Sequence, residues 1–227
     1  MGDVSNDGTS NVNYAAAIAD HRKISGTGLF QFGAHSGNHV ANFDQSYDTI
    51  TEFDPSGSTL TVPAGMDAAG DITGTYRGAG NVWRGFIRTA AGAITSYDEP
   101  NAGTGKGQGT FGGAANPAGD VTGWYIDSDG VEHGFERTAT GTFTSFDAKH
   151  AGQTVAFAIS SKGVITGPYM DRANVEHSYV RNRAGRVVDF DPPGATATEA
   201  WGVNAAGDIT GFYVDAGSAV HAFLRTP

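Results

Sequence analysis

Ten side chains of this 227-residue chain have the types and spacing that binding or acid–base chemistry would need. Glu199 and Trp201 lie two residues apart in a phrase that recurs along the chain, and Phe157 stands where another copy has Trp201. Tyr14 and Phe111 stand at the place of Glu199 in two further copies. Arg77, Trp83 and Arg84 fall within one hairpin, and Lys149 and His150 occupy a loop facing the same side. Aromatic faces beside arginine and carboxylate groups suit recognition of a carbohydrate or another small polar molecule. A carboxylate set against apolar surface also suits proton transfer. Glu199 would then be the acid or base, His150 its partner, and Arg77 or Arg84 the anchor for a substrate carboxylate. No nucleophile elbow, metal triad or paired-carboxylate motif accompanies these residues. A competing expectation is that the large aromatics merely plug a channel.

The elements that must position them are read from the repeat. Ala200-Trp-Gly-Val-Asn-Ala-Ala-Gly-Asp-Ile-Thr-Gly-Phe-Tyr213 returns in shortened form at Asp67–Tyr76, Asn116–Tyr125 and Ser160–Tyr169, with a worn copy at Ala19–Thr27. Each phrase is followed by a segment such as His221-Ala-Phe-Leu-Arg225, matched by Arg84–Arg88, His133–Arg137 and His177–Arg181. A short apolar stretch then ends in an aromatic residue and Asp54, Asp98, Asp147 or Asp191, which are 44, 49 and 44 residues apart. That period belongs to propeller blades. Four alternating apolar runs per unit, cut by Gly, Asp, Asn and Pro, predict four short strands A to D.

These strands predict an all-β fold: a single five-bladed β-propeller of four-stranded blades. Blade 1 covers about 14–53, blade 2 about 62–97, blade 3 about 111–146 and blade 4 about 155–190. Blade 5 covers about 199–227 and lacks a strand D, which residues 3–7 are expected to supply, closing the ring. Closure protects sheet edges from stray pairing.

The literal His221-Ala222-Phe223, together with the Phe-Asp-Pro and Gly-Asp-Ile-Thr-Gly-x-Tyr pattern, resembles the bacterial extracellular repeat proteins of the HAF family. The resemblance covers nearly the whole chain, with blade 1 degenerate. It implies the repeat fold and a secreted or periplasmic location, and it selects no activity.

Composition narrows the partners. A net charge of −10 lacks the basic footprint that nucleic acid or an anionic membrane surface requires. There is no cysteine, so disulfides and thiolate metal sites are excluded. No transmembrane run is present, and no cofactor or metal is expected. Asp127-Ser-Asp-Gly130 lacks the downstream acidic ligands of a calcium loop. Gly103–Gly109 lacks the helix that a phosphate loop needs. His133, His177 and His221 are expected to be hydrogen-bonded structural residues. The Asp after each aromatic is expected to cap its own turn.

Departures from the repeat point to the site. The D–A connection into blade 3 runs 18 residues from Asp98 to the end of strand A, against 13 elsewhere, and blade 1 carries about three extra residues near 30–38. Both insertions rise from one face and flank blade 2, where Arg84 replaces the histidine of three other blades. Variable loops above a rigid scaffold commonly hold ligands. A funnel on that face, taking a glycan or small polar ligand, is the expected site. The alternatives are a hydrolase or lyase in the same funnel, or a module for structure and interaction.

Overall fold

The computed structural model describes residues 51–227 and, in the first fifty, strands β1 (Val4–Ser5), β2 (Ile24–Ser25), β3 (Phe30–Gln31) and β4 (Val40–Ala41). The chain divides into two compact units, Met1–Phe53 and Asp54–Pro227. In the first, β1 pairs in parallel with β2, and β3 pairs antiparallel with β4. Tyr14, most of blade 1 and its insertion lie outside the described residues.

The second unit is all-β. A meander of β5 (Leu60–Met66), β6 (Ile72–Arg77), β7 (Trp83–Arg88) and β8 (Ile94–Tyr97) is followed by β9 (Gly109–Ala115), β10 (Val121–Ile126), β11 (Glu132–Arg137) and β12 (Phe143–Phe146). Next come β13 (Ala151–Thr154), β14 (Ala158–Ile159), β15 (Ile165–Asp171), β16 (Glu176–Arg181) and β17 (Val187–Phe190). In the third meander the first strand is split into β13 and β14, both paired with β15. Strands β18 (Ala195–Val203), β19 (Ile209–Asp215) and β20 (Val220–Arg225) form a three-stranded sheet. No fourth strand lies beside β20 among the described residues. First strands begin a few residues before their expected starts, because pairing such as Ala195 with Asp215 continues beyond a β-bulge. A single 3-10 turn at Ala79–Asn81 is the one helical element among the described residues. No helix among them is long and apolar enough to cross a membrane.

The recurring phrase has a physical cause at each position. Asn116 Oδ1 accepts the backbone N–H groups of Ala118 and Asp120, and Asp67 and Asn204 do the same in their turns. The glycine that follows takes a left-handed conformation, as at Gly119 (φ 80°) and Gly207 (φ 93°), which other L-residues rarely adopt. The glycine after threonine has a different role. A Cβ at Gly74, Gly123, Gly167 or Gly211 would collide with the carbonyl oxygen of Val62, Phe111, Val155 or Glu199 on the first strand. That close approach goes with a register shift in the first strand, at Ala64 in β5, Gly113–Ala114 in β9 and Trp201 in β18. Bulges of this kind re-aim a side chain.

Packing between successive meanders repeats as well. The Arg137 guanidinium lies 5.0 Å over the Tyr97 ring of the preceding meander, Arg181 lies 4.8 Å over Phe146, and Arg225 lies 5.0 Å over Phe190. Phe135 packs edge-on against Tyr97 and Tyr179 against Phe146, and both are fully buried, as is Phe86. Thr73 donates to the Gly113 carbonyl and Ser178 to that of Thr198, which ties neighbouring meanders together. Arg181 also forms a 2.7 Å ion pair with Glu136, out of water. The Thr110 hydroxyl accepts the Glu99 N–H, and that of Thr154 accepts the Ala148 N–H. At the equivalent place Pro192 has no N–H to give. The Thr198 hydroxyl is accordingly buried without a partner.

The glycine requirement separates two neighbours in one sheet. Gly211→Ala is expected to destabilise the protein by about 1–3 kcal/mol, as overpacking does. Gly202→Ala meets only the Thr210 methyl group at 3.5 Å and is expected to stay within about 0.5 kcal/mol. Urea unfolding of both variants checks the pair; equal losses would contradict the collision.

Candidate functional site

Two kinds of polar arrangement emerge from this frame, one repeated and one singular. The repeated one begins with strand alternation, which puts Tyr125 and His133 on one face of paired strands, ring centroids 5.1 Å apart. His133 Nδ1 lies 2.9 Å from Asp147 Oδ1, and Nε2 lies 3.3 Å from Asp127 Oδ2. His177 sits likewise on Tyr169, 2.7 Å from Asp191 and 3.6 Å from Asp171. His221 sits on Tyr213, with Nε2 3.0 Å from Asp215. The other oxygen of Asp127, Asp171 and Asp215 accepts N–H groups of its own turn. One aspartate therefore closes a turn and holds a histidine.

The histidines are hydrogen-bonded structural groups, as expected from the sequence. The aspartate after each aromatic differs from its expected role. Asp147 and Asp191 reach across to the histidine of the preceding strand, because Gly134 pairs with Phe146 and Ser178 with Phe190. A neutral imidazole donates only one hydrogen bond, whereas imidazolium donates two. Burial pulls the His133 and His177 pKa values down, but hydrogen bonds and charge from their paired aspartates outweigh it and leave both raised. The Tyr169 hydroxyl is pushed up to about 12, first by burial and then by the surrounding carboxylates.

The singular arrangement occupies the first meander. Here Gly78 stands where the others have the turn aspartate, and Arg84 stands in place of histidine. Arg84 Nη1 pairs with Asp98 Oδ2 at 2.7 Å, half exposed. Beside it the connection from β8 to β9 spans residues 98–108, whereas residues 147–150 and 191–194 suffice for its counterparts. This long loop is fastened on both sides. Gly107 donates to the Asn81 carbonyl, Trp83 N–H to that of Gln108, and Gly103 to that of Ile126. The Gln108 side chain accepts the Gly105 N–H and donates to the Ser128 carbonyl. A parallel bridge joins Trp83 to Gly109, where a Cβ would strike the Trp83 backbone.

Between loop and strand lies a cleft of about 220 Å³ lined by Trp83, Arg84, Asp98, Glu99 and residues 102–104, among others. Glu99 is 3% exposed. Its carboxylate accepts hydrogen bonds from the Asn101 backbone and side chain and from the Ser145 hydroxyl. Asp98 and Glu99 were not legible as cleft residues, because the repeat presents Asp98 as an ordinary turn residue.

Of the residues singled out in the sequence, Arg77, Trp83 and Phe111 come together, while Arg84, the next residue on β7, pairs with Tyr76 on the opposite strand face. The Arg77 guanidinium lies 5.9 Å from the Trp83 ring, and Trp83 meets Phe111 at 5.2 Å. An aromatic ladder then continues from Phe111 through Trp124 (5.1 Å), Phe157 (5.9 Å) and Trp201 (6.4 Å) to Phe212 (6.0 Å). Trp124 and Phe212 were missed. Both occupy the variable place in Thr-Gly-x-Tyr, on the strand face opposite the repeated tyrosine. Glu199 pairs directly with Phe212. Burial, and then the charge of Glu199, raise the Glu176 pKa. Lys149 and His150 are exposed in the turn before β13. Among the described residues nothing joins either to Glu199, so the structure does not assemble an acid–base pair there.

The two doubly clamped histidines make stability depend on pH. A folded-state pKa above the unfolded value gives stabilisation that is complete below roughly pH 6.5 and lost as pH rises through the folded value. Urea midpoints are expected to fall above about pH 6.5, and the double variant His133→Gln/His177→Gln is expected to flatten that limb. An unchanged slope in the variant would remove the histidines as its cause.

The comparisons with known proteins leave the argument with these residues: no protein-family model matches the chain, and a search of curated proteins finds no match.

Proposed function

We propose that this chain is a HAF-type five-bladed propeller, secreted or periplasmic, that binds a carbohydrate or similarly polar neutral molecule in the cleft beside Trp83 and Arg84. Two meanders joined through the Trp83–Gly109 bridge into one eight-stranded sheet, a third with its first strand split, and a three-stranded sheet share one strand order, which supports the propeller reading. The last sheet exposes Val220 (66%) and Leu224 (71%) on one face, at positions matching residues that face the next sheet elsewhere. A further blade from residues 14–53 and an outer strand from residues 3–7 would complete the ring and make one domain of the chain.

The cleft carries the functional reading, because the one long loop described and the one meander that lacks the histidine cassette converge on it. Its charged groups are Arg84, Asp98 and Glu99, so it has more acceptors than free positive charge. A substrate carboxylate would have to displace Asp98 from Arg84 while facing Glu99. Sugar hydroxyls both donate and accept, and can join this network without placing a net charge in it. Pro100 and Ala102 give the lining its apolar area, against which a sugar ring can pack. The volume lies below the roughly 300–1,000 Å³ of pockets for drug-sized ligands, which suits a single ring. Trp201, Phe157 and Lys149 do not line this cleft.

Isothermal calorimetry against a panel of neutral mono- and disaccharides tests the reading. Saturable binding is expected, and Arg84→Ala should weaken it about 30-fold, the roughly 2 kcal/mol of a hydrogen bond from a charged group. Circular dichroism and thermal melting confirm that the variant is folded. Flat traces across the panel, or unaltered binding by folded Arg84→Ala, would contradict carbohydrate binding in this cleft.

A further inference from the structure

Trp201 is the bulge residue of β18 and is 61% exposed. Its indole is flanked by two phenyl rings at steep angles, Phe157 at 83° and 6.4 Å and Phe212 at 66° and 6.0 Å. Glu199 is the direct cross-strand partner of Phe212, which puts its side chain on the same face of the sheet. Glu176, on the neighbouring sheet, feels the charge of Glu199. Steeply angled rings around an exposed indole, with Glu199 on the face of Phe212, make an electronegative apolar corner.

We propose that Phe157, Trp201, Phe212 and Glu199 form a binding site for a quaternary ammonium group. The faces of aromatic rings carry negative electrostatic potential and attract cations. Alkylation spreads the charge of such a cation over an apolar surface that packs against rings. A primary ammonium is compact and strongly hydrated, and would give up more water to enter. Calcium requires six to eight oxygen ligands, and two carboxylates beside three rings cannot supply them. The cation would also relieve repulsion between Glu176 and Glu199, a gain that no neutral ligand offers. This site shares no lining residue with the cleft at Trp83 and stands independently of the carbohydrate reading.

NMR titration with choline chloride, without any glycan present, tests it against the neutral isostere 3,3-dimethylbutan-1-ol at matched ionic strength. Choline is expected to bind saturably and at least about tenfold more tightly than the isostere, the range of a desolvated cation–π contact. Trp201→Ala should weaken choline binding about tenfold, Trp201→Phe should retain part of it, and Glu199→Gln should weaken it several-fold. The exposure of Trp201 makes its replacement compatible with folding, and the variant's amide spectrum checks this directly. Absence of saturable choline binding, equal binding of the isostere, or unaltered binding by folded Trp201→Ala would each overturn the proposal.

Discussion

The approach of a first-strand carbonyl onto a side-chain-free second strand governs the rest of this molecule. At Gly74, Gly123, Gly167 and Gly211 the backbone of the neighbouring strand occupies the place a Cβ would take. The first strand can lie that close only with an irregular register, and the resulting bulge decides where the variable residues point. Ala64, Phe157 and Trp201 are equivalent by this criterion, although their side chains have little in common. Scaffold and candidate sites thus arise from one backbone constraint: it fixes the strands while leaving the bulge residue free to vary.

Charge is organised around the same frame. In two meanders an imidazole is held between two carboxylates and stacked on tyrosine, which favours its protonated form. In the first meander a permanent cation, Arg84, takes over, and the turn carboxylate is replaced by Gly78. The change leaves one aspartate instead of two and opens room for the loop that follows β8. Because the loop is bonded to the turns of both adjoining meanders, it is a fixed wall of the cleft. Preorganisation of this sort spares a ligand the entropy of ordering its own site.

Much of this was legible in the sequence because the repeat supplies its own reference. Alternation and turn chemistry gave the strands, and comparison of copies isolated Arg84, Trp201, Phe157 and the long connection. Three things were hidden, each for a physical reason. The cross-strand role of Asp147 and Asp191 depends on pairing register, which a local turn reading cannot see. Trp124 and Phe212 lay in a phrase whose neighbours are structural, so only their opposite strand face distinguishes them. Glu99 reads as a loop carboxylate, yet it is buried and held by Ser145 on β12, distant in sequence. His150 showed the reverse: its residue type suggested chemistry, while the fold sets it on an exposed turn.

The central claim is that repeated groups build the frame and the departures from the repeat bind ligand. Mapping amide and indole chemical shifts during titration with the tightest-binding saccharide tests this most directly. The account predicts saturating changes at the amides of Trp83 and Arg84 and at residues 98–104, with the histidine cassettes at His133 and His177 unmoved. Changes centred on those cassettes, with Trp83 silent, would contradict it.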